Sequence, residues 1–156
     1  MTPPFEKFIR RDWFGWLLSL DPGQTTGWAL WYRPVEGKIE LKASGQWYSF
    51  PMSKVVAELE GFLESKSIDL VVMEEYRIYN WKAKDHANST VFTLRLIGAL
   101  EYVLGMRGIG VIFQGAGQAK GFCTDEKLED WGFWQIGERH ARDAIRHGAY
   151  FWCSNA

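Results

Sequence analysis

The chain has 156 residues, of which 47% are hydrophobic and 16% aromatic, and its formal net charge is −1 at pH 7. Its length and composition suit one compact domain over residues 1–156, with a core that needs no metal or disulfide to form. No apolar stretch is long enough to span a bilayer, so we expect no membrane partner, and the near-neutral charge gives no overall field that attracts nucleic acid.

Residues 1–12 lack the apolar region of a signal peptide and precede the first strand-like segment. We therefore treat them as an N-terminal extension, for which a DNA contact, a subunit contact and no contact at all remain open. Cys123 and Cys153 follow no metal-ligand spacing. We expect two free thiols in a reducing cytoplasm rather than a disulfide.

The first half of the chain predicts three strands, at 13–20, 27–33 and 38–50, joined by short turns into an antiparallel meander. From residue 51 the apolar period becomes helical, with Ser53 as the predicted N-cap. A buried strand is predicted at 68–74, and residues 75–85 are predicted to form a polar and aromatic loop.

The second half predicts a long helix at 88–108, capped by Asn88 or Ser89 and ended by Gly108, and then a strand at 109–114. Residues 115–122 are predicted as a short helix or turn, 124–135 as an irregular connection, and 137–152 as a last helix. The order β-β-β-α-β-α-β-α favours an α/β fold: a mixed five-stranded sheet, first antiparallel and then parallel, with helices on both faces.

The segment 19–28, SLDPGQTTGW, places one carboxylate, Asp21, at the end of the first strand. Asp-Pro-Gly is a common turn, and Asp often begins turns for structural reasons alone. The small and hydroxyl residues that follow would also let backbone amides face a phosphate or a metal-bound water. Both interpretations remain open on this segment alone.

Two further carboxylates, Glu74 and Glu75, end the strand at 68–74. Ligands in open α/β sheets gather at the carboxyl ends of strands, so Asp21 and Glu74 converge if their strands are neighbours. In the last helix, His140, Asp143 and His147 share one side. A polar helix surface explains either histidine, whereas Asp143, among alanines and Ile145, requires a partner.

Three carboxylates from distant segments could together bind Mg²⁺, which prefers oxygen ligands. Two such ions about 4 Å apart can hold the attacking and leaving oxygens of a phosphodiester in line.

These segments resemble the RuvC family of Holliday-junction resolvases, within the RNase H-like superfamily, and most closely its phage-encoded branch. The resemblance is carried by LDPGQTTGWA at 20–29, VVMEE at 71–75, LRLIGALEY before IGVIFQ, Lys120 in GAGQAKG, and HARDAI at 140–145. It spans most of the chain between residues 17 and 151.

The resemblance implies a dimeric endonuclease, dependent on two Mg²⁺ or Mn²⁺ ions, that cuts four-way DNA junctions by paired nicks in recombination and repair. It implies Asp21, Glu74 and Asp143 as metal ligands, with His140 as a further ligand or a helper in proton transfer. Lys120 corresponds to a basic residue near the scissile phosphate. No nucleotide cofactor is implied.

The family carries an aromatic residue that stacks at the junction crossover, after the second carboxylate. The candidates for DNA contact in this chain follow Glu75: Tyr76, Arg77, Tyr79, Trp81, Lys82 and Lys84. Base stacking on aromatic rings contributes about 1–3 kcal/mol per base, and the adjacent cations suit a phosphate backbone. The alternative, that one or two of these rings only pack the loop, remains open.

The basic residues gather near the N-terminus, in the 75–85 segment and in the last helix, either as a basic face or as scattered solvated charge. They are Arg10, Arg11, Arg77, Lys82, Lys84, Lys120, Arg139, Arg142 and Arg146. Three other functions remain open: an RNase H-like nuclease of packaging or flap type, a junction-binding module without catalysis, and an actin-like phosphotransferase. The chain is short for the two-lobed cleft of the last.

Overall fold

A computed structural model describes residues 2–76 and 87–155, residues 87–90 by their backbone alone. A 3₁₀ turn at Phe5–Phe8 precedes five strands and five α-helices in these ranges. The strands are β1 (Gly15–Asp21), β2 (Thr25–Arg33), β3 (Glu40–Tyr48), β4 (Leu70–Glu75) and β5 (Gly110–Gly115). The helices are α1 (Met52–Ser65), α2 (Ala87–Met106), α3 (Ala116–Phe122), α4 (Asp125–Asp130) and α5 (Arg139–Cys153).

The five strands form one sheet in the order β3-β2-β1-β4-β5. The pairs β1–β2 and β2–β3 are antiparallel, whereas β1–β4 and β4–β5 are parallel. This confirms the predicted mixed sheet, including the adjacency of β1 and β4 on which the convergence of Asp21 and Glu74 depends. Because β1, β4 and β5 run in the same direction, their carboxyl ends meet at one edge.

Helices cover both faces of the sheet, as predicted, because successive side chains of each strand point to opposite faces. On one face Leu18 and Val71 pack with α1 and α2. On the other, Leu17, Trp31 and Val72 pack with α5. The helix α5 is therefore the layer that lies directly against the central strands.

Two glycines allow α5 to lie very close to the sheet. A Cβ atom at Gly27 would stand 1.8 Å from the backbone oxygen of His140, and one at Gly148 would stand 2.1 Å from Trp31 Nε1. Between them, the Ser19 hydroxyl donates to the Ala144 carbonyl at 2.7 Å and accepts from Trp31 Nε1 at 3.3 Å. Backbone contact at Gly27 thus fixes where α5 begins relative to β2.

Three predicted details of the helices are wrong. Residues 124–135 are not wholly irregular: α4 forms because Thr124 Oγ1 accepts from Lys127 N at 3.3 Å and Leu128 is buried. Ser53 is not the N-cap of α1, because extended Pro51 precedes the first helical residue. Neither Asn88 nor Ser89 caps α2, because both lie within the helix, whose first described residue is Ala87.

The predicted stop of α2 at Gly108 is confirmed. Gly108 has φ +70°, the left-handed conformation that ends many helices, and the amide of Ile109 donates to the Leu104 carbonyl at 3.0 Å. Cys123 and Cys153 are both free and buried, so no disulfide joins them. Among the described residues, no helix has the length and apolar character needed to cross a membrane.

The N-terminal extension packs against the end of α5. The amides of Arg10 and Arg11 both donate to the Trp152 carbonyl, and Arg11 Nε donates to Phe151 O at 2.8 Å and to Ser154 O at 3.0 Å. Upstream, the buried ring of Phe5 adds to the same aromatic cluster. The extension therefore completes the aromatic core beside α5.

Candidate metal centre at the carboxyl edge of the sheet

Three neighbouring strands carry polar side chains at or near their ends, at the same edge of the sheet. Leu20 pairs with Met73, so the next residues along β1 and β4 are Asp21 and Glu74. Glu74 in turn pairs with Gln114 of β5. Parallel pairing thus places a carboxylate, a second carboxylate and an amide side by side.

The helix α5 adds Asp143 and His147, which lie one turn apart and face this edge. The His147 side chain is fully buried, and that of Asp143 is 14% exposed. His147 Nε2 lies 2.9 Å from Glu74 Oε2, and His147 Nδ1 lies 2.9 Å from Gln114 Oε1. The imidazole therefore bridges the ends of β4 and β5.

Asp21, Glu74 and His147 form a compact group of metal-ligating side chains within the described part of the chain. Each offers one ligand atom, and these atoms lie within 4.8 Å of one another. Asp143 borders the group, since its negative charge acts on Asp21, and Lys120 Nζ lies 3.6 Å from Asp143 Oδ2. Helix α3 thus adds a cation to the edge.

The two strand-end carboxyl groups have opposite pKa shifts. Burial raises the pKa of Asp21 well above its ordinary value, helped by the hydrogen bond to Glu74 and the charges of Glu74 and Asp143. Burial also acts to raise the pKa of Glu74, but hydrogen bonds from His147 and Asp21 outweigh it and lower that pKa to about 2. Without a cation, the position of Asp21 therefore favours a neutral carboxyl more strongly than that of Glu74 does.

This donor set fits a divalent metal ion. Two carboxylates and a histidine nitrogen converge with a third carboxylate nearby, and burial together with the neighbouring negative charges raises the pKa of Asp21. A cation there would offset the repulsion between these carboxylates. Oxygen-rich ligands favour Mg²⁺ or Mn²⁺, and an imidazole nitrogen is compatible with Mn²⁺.

His140 lies outside the compact group that the ligand atoms define. It is half-buried, and its backbone amide donates to Gln46 Oε1 at 3.2 Å. Burial, followed by the charge of Arg139, lowers the pKa of His140, while Asp143 opposes this shift. The side chain thus lies at the border of the site beside Asp143, and its role as a ligand stays a prediction.

The turn after Asp21 is held by its own threonine. Thr26 Oγ1 is within 3.5 Å of the Gly23 amide and 2.8 Å from Ser49 Oγ, and the residue is fully buried. Thr26 therefore ties the 22–24 turn to Ser49, which directly follows β3.

The predicted DNA-contact residues mostly fall outside the described residues: Arg77, Tyr79, Trp81, Lys82 and Lys84. Tyr76 directly follows β4 and is half-buried, and Glu75 ends β4 in an exposed position. Lys120 is 44% exposed beside Asp143.

From the sequence, two residues of the site receive no functional role. In the sequence, His147 is sufficiently explained as part of a polar helix surface, although His147 lies one turn after Asp143 on the same side of the helix. Gln114 attracts no functional interpretation, although it lies near the end of a strand parallel to β4. The strand-end rule that selects Asp21 and Glu74 would also select Gln114.

No protein-family model and no curated protein sequence matches the chain. Several solved structures match it. Thermus thermophilus RuvC in complex with a Holliday-junction substrate is 16% identical, with a TM-score of 0.65 over 86% of this chain and 90% of that one. The yeast mitochondrial Holliday-junction resolvase Ydc2 is 10% identical, with a TM-score of 0.63 over 96% and 83%.

The fowlpox virus resolvase, in a complex with Holliday-junction DNA, is 14% identical with a TM-score of 0.54 over 87% of this chain and 97% of that one. All three matches extend over most of both chains at low sequence identity, so what they share with this protein is the fold. The chain therefore has the RNase H-like fold of RuvC and related Holliday-junction resolvases.

Proposed function

We propose that this protein is a metal-dependent endonuclease that resolves four-way DNA junctions. The observation that carries the proposal is the meeting of Asp21, Glu74 and Asp143, from β1, β4 and α5, at one edge of an RNase H-like sheet. The structural neighbours that share this fold are Holliday-junction resolvases, two of them in complexes with junction DNA. This similarity supports branched DNA as the substrate.

Asp21, Glu74 and Asp143 would hold the metal ions, with His147 or His140 as a nitrogen ligand. Two bound Mg²⁺ or Mn²⁺ ions would supply activation of water and stabilisation of the leaving oxygen. The chain's own residues set the geometry: His147 orients Glu74, and β1 and β4 fix the spacing of the carboxylates. Lys120 supplies positive charge for a phosphate beside Asp143.

A homodimer suits this substrate, because a two-fold enzyme matches a two-fold junction. The exposed side of α2 offers an interface for a second copy. It carries Tyr102 and Met106, which are 69% and 71% exposed, together with Val91 and Leu94. On the same helix a Cβ atom at Gly98 would meet nothing within 4 Å, so the glycine leaves room for close approach of a partner helix.

The proposal is tested on a labelled four-way junction, a Y-shaped fork and plain duplex DNA, each with Mg²⁺ and with EDTA. We expect symmetric nicks in the junction alone, abolished by EDTA. A supercoiled plasmid with an extruded cruciform adds a test of pairing. Coordinated cuts by a dimer linearise it, whereas a single nick only relaxes it.

Equal cutting of forks or duplex would contradict junction selectivity while retaining a metal-dependent nuclease. Tight junction binding without cleavage under Mg²⁺ or Mn²⁺ would favour a binding module instead. Relaxed plasmid without linear product would contradict the paired nicks and the dimer that makes them.

The bridge from His147 to Glu74 predicts weaker metal binding in His147→Ala. This change leaves Glu74 without the group that orients it, and losing such a partner typically lowers metal affinity about 10–100-fold. Isothermal titration with Mn²⁺, on protein without DNA, measures the effect apart from catalysis. His147→Gln, which keeps a donor for Glu74, is expected to retain more affinity.

The urea unfolding midpoint separates this effect from simple loss of structure. An alanine variant that is folded and binds Mn²⁺ like the parent would show that His147 neither ligates the ion nor positions Glu74. The buried Gln114 Oε1 would also lose its partner, so some loss of stability is expected in the same variant.

A further inference from the structure

A pocket of about 290 Å³ opens beside the metal centre, between α3, the start of α4 and the first turns of α5. Its lining is Lys120, Thr124, Asp125, Arg139, Asp143 and Arg146. Asp143 lines this pocket and also acts on Asp21, so the pocket and the metal centre are adjacent.

The inner wall of the pocket is a fixed guanidinium. The Arg146 side chain is only 9% exposed; its Nε donates to the Cys123 carbonyl at 3.0 Å, and its Nη2 contacts Asp125 Oδ1. Its Nη1 lies 3.8 Å from Asp143 Oδ1. Because three oxygens already hold this buried guanidinium, it loses little further conformational freedom when a ligand binds.

The charges of the pocket do not balance. Three cationic side chains and two carboxylates line it, so one positive charge is uncompensated. Arg146 pairs with Asp125 and Lys120 lies near Asp143. Arg139 is exposed and has no hydrogen bond or ion pair with any residue that the structure describes.

The position of Arg139 strengthens this excess. Arg139 is the first residue of α5, so the positive end of the dipole of this 15-residue helix lies beside the pocket that Arg139 lines. The whole chain is slightly acidic, with a net charge of −1, so this local excess is not part of a general positive field. The pocket therefore carries a local excess of positive charge, which suits an anion.

We infer that this pocket binds a backbone phosphate of the DNA strand next to the scissile phosphate, with Arg139 as its principal contact. The inference rests on the proposed function. When the scissile phosphate of a DNA strand lies at the metal centre, the neighbouring phosphates of that strand lie close to Asp143. Arg139 and Lys120 are in position to contact them there. The metal centre holds the reacting group, and the pocket sets the path of the strand.

The test is the affinity for a four-way junction as a function of salt concentration, in an Asp21→Asn background so that DNA stays intact. Arg139→Gln is expected to weaken binding about tenfold at low salt, as for a lost hydrogen-bonded charge. The slope of log K against log salt should become shallower by about one. Arg139→Lys, which keeps the charge, should restore most of the slope.

The matched control is Arg107→Gln. Arg107 follows α2 at the opposite edge of the sheet and already pairs with Glu60 and Glu64. Its replacement should leave both affinity and salt slope unchanged. With Asp21 intact, Arg139→Gln should raise KM for the junction with little change in kcat, because the contact is the same in the ground state and the transition state.

The outcomes separate this inference from the proposed function. If the parent binds and cuts junctions but Arg139→Gln keeps its affinity and slope, the pocket is not a phosphate site and the nuclease proposal stands. If the Asp21→Asn parent does not bind junctions under any salt condition, the proposed function fails and this inference fails with it.

Discussion

Replacing Asp21 by asparagine is expected to reduce junction cleavage by roughly 10²–10³-fold or more, the loss that follows removal of one strong electrostatic stabiliser. Asparagine keeps the size of the side chain, so β1 and its pairing with β4 should be unaffected. Burial and the charges of Glu74 and Asp143 raise the pKa of Asp21, so this position disfavours a charged side chain. The amide avoids a buried charge there, and the free energy of unfolding should not fall.

The measurement is single-turnover cleavage of a labelled junction, with binding followed on the same DNA. Glu75→Gln is the matched control, because Glu75 ends the same strand as Glu74 but is exposed. We expect it to cut at nearly the parent rate. An Asp21→Asn protein that binds and cuts junctions at the full rate would contradict the metal centre proposed here.

Replacing Gly27 by alanine is expected to cost about 3 kcal/mol of unfolding free energy, at the upper end for overpacking. The new Cβ would lie 1.8 Å from the His140 carbonyl oxygen, which belongs to the backbone and cannot rotate away. The first turn of α5 must therefore move off β2. Asp143 moves with it, so cleavage should fall as well.

Urea unfolding and junction cleavage measure the two losses. Gly61→Ala is the control, because Gly61 lies within α1 and a Cβ atom there would have no neighbour within 4 Å. This variant should gain up to about 1 kcal/mol from helix propensity. A Gly27→Ala variant with parental stability and activity would show that α5 does not depend on backbone contact with β2.

The fold is predictable from the sequence because most elements carry their own pattern. β1 and β4 are short continuous apolar runs, and α2 ends at a glycine in the left-handed conformation. The sequence does not predict helix α4, because the formation of this helix depends on tertiary contacts. Its six residues have only Leu128 as a buried anchor, and the aromatic core beneath it is supplied in part by Phe5 and Phe8 from the other end of the chain.

The candidate site is predictable as far as strand ends can be located. Asp21 and Glu74 follow apolar runs directly, and parallel pairing then places them together. His147 cannot be distinguished from a surface histidine in the sequence, because its burial depends on how closely α5 approaches the sheet. That approach is set by Gly27 and Gly148, which the hydrophobic period of α5 does not reveal.

The contact between the N-terminal extension and α5 has a consequence for how the protein loses activity. Helices usually open first at their ends, but the final carbonyls of α5 are occupied by Arg10 and Arg11. The C-terminal end of the helix that bears Asp143 and His147 thus lacks an easy route for local fraying. Amide exchange in the last turn of α5 should therefore require global unfolding. A heated population should then divide into intact and unfolded molecules, without a loosened form that cuts DNA indiscriminately.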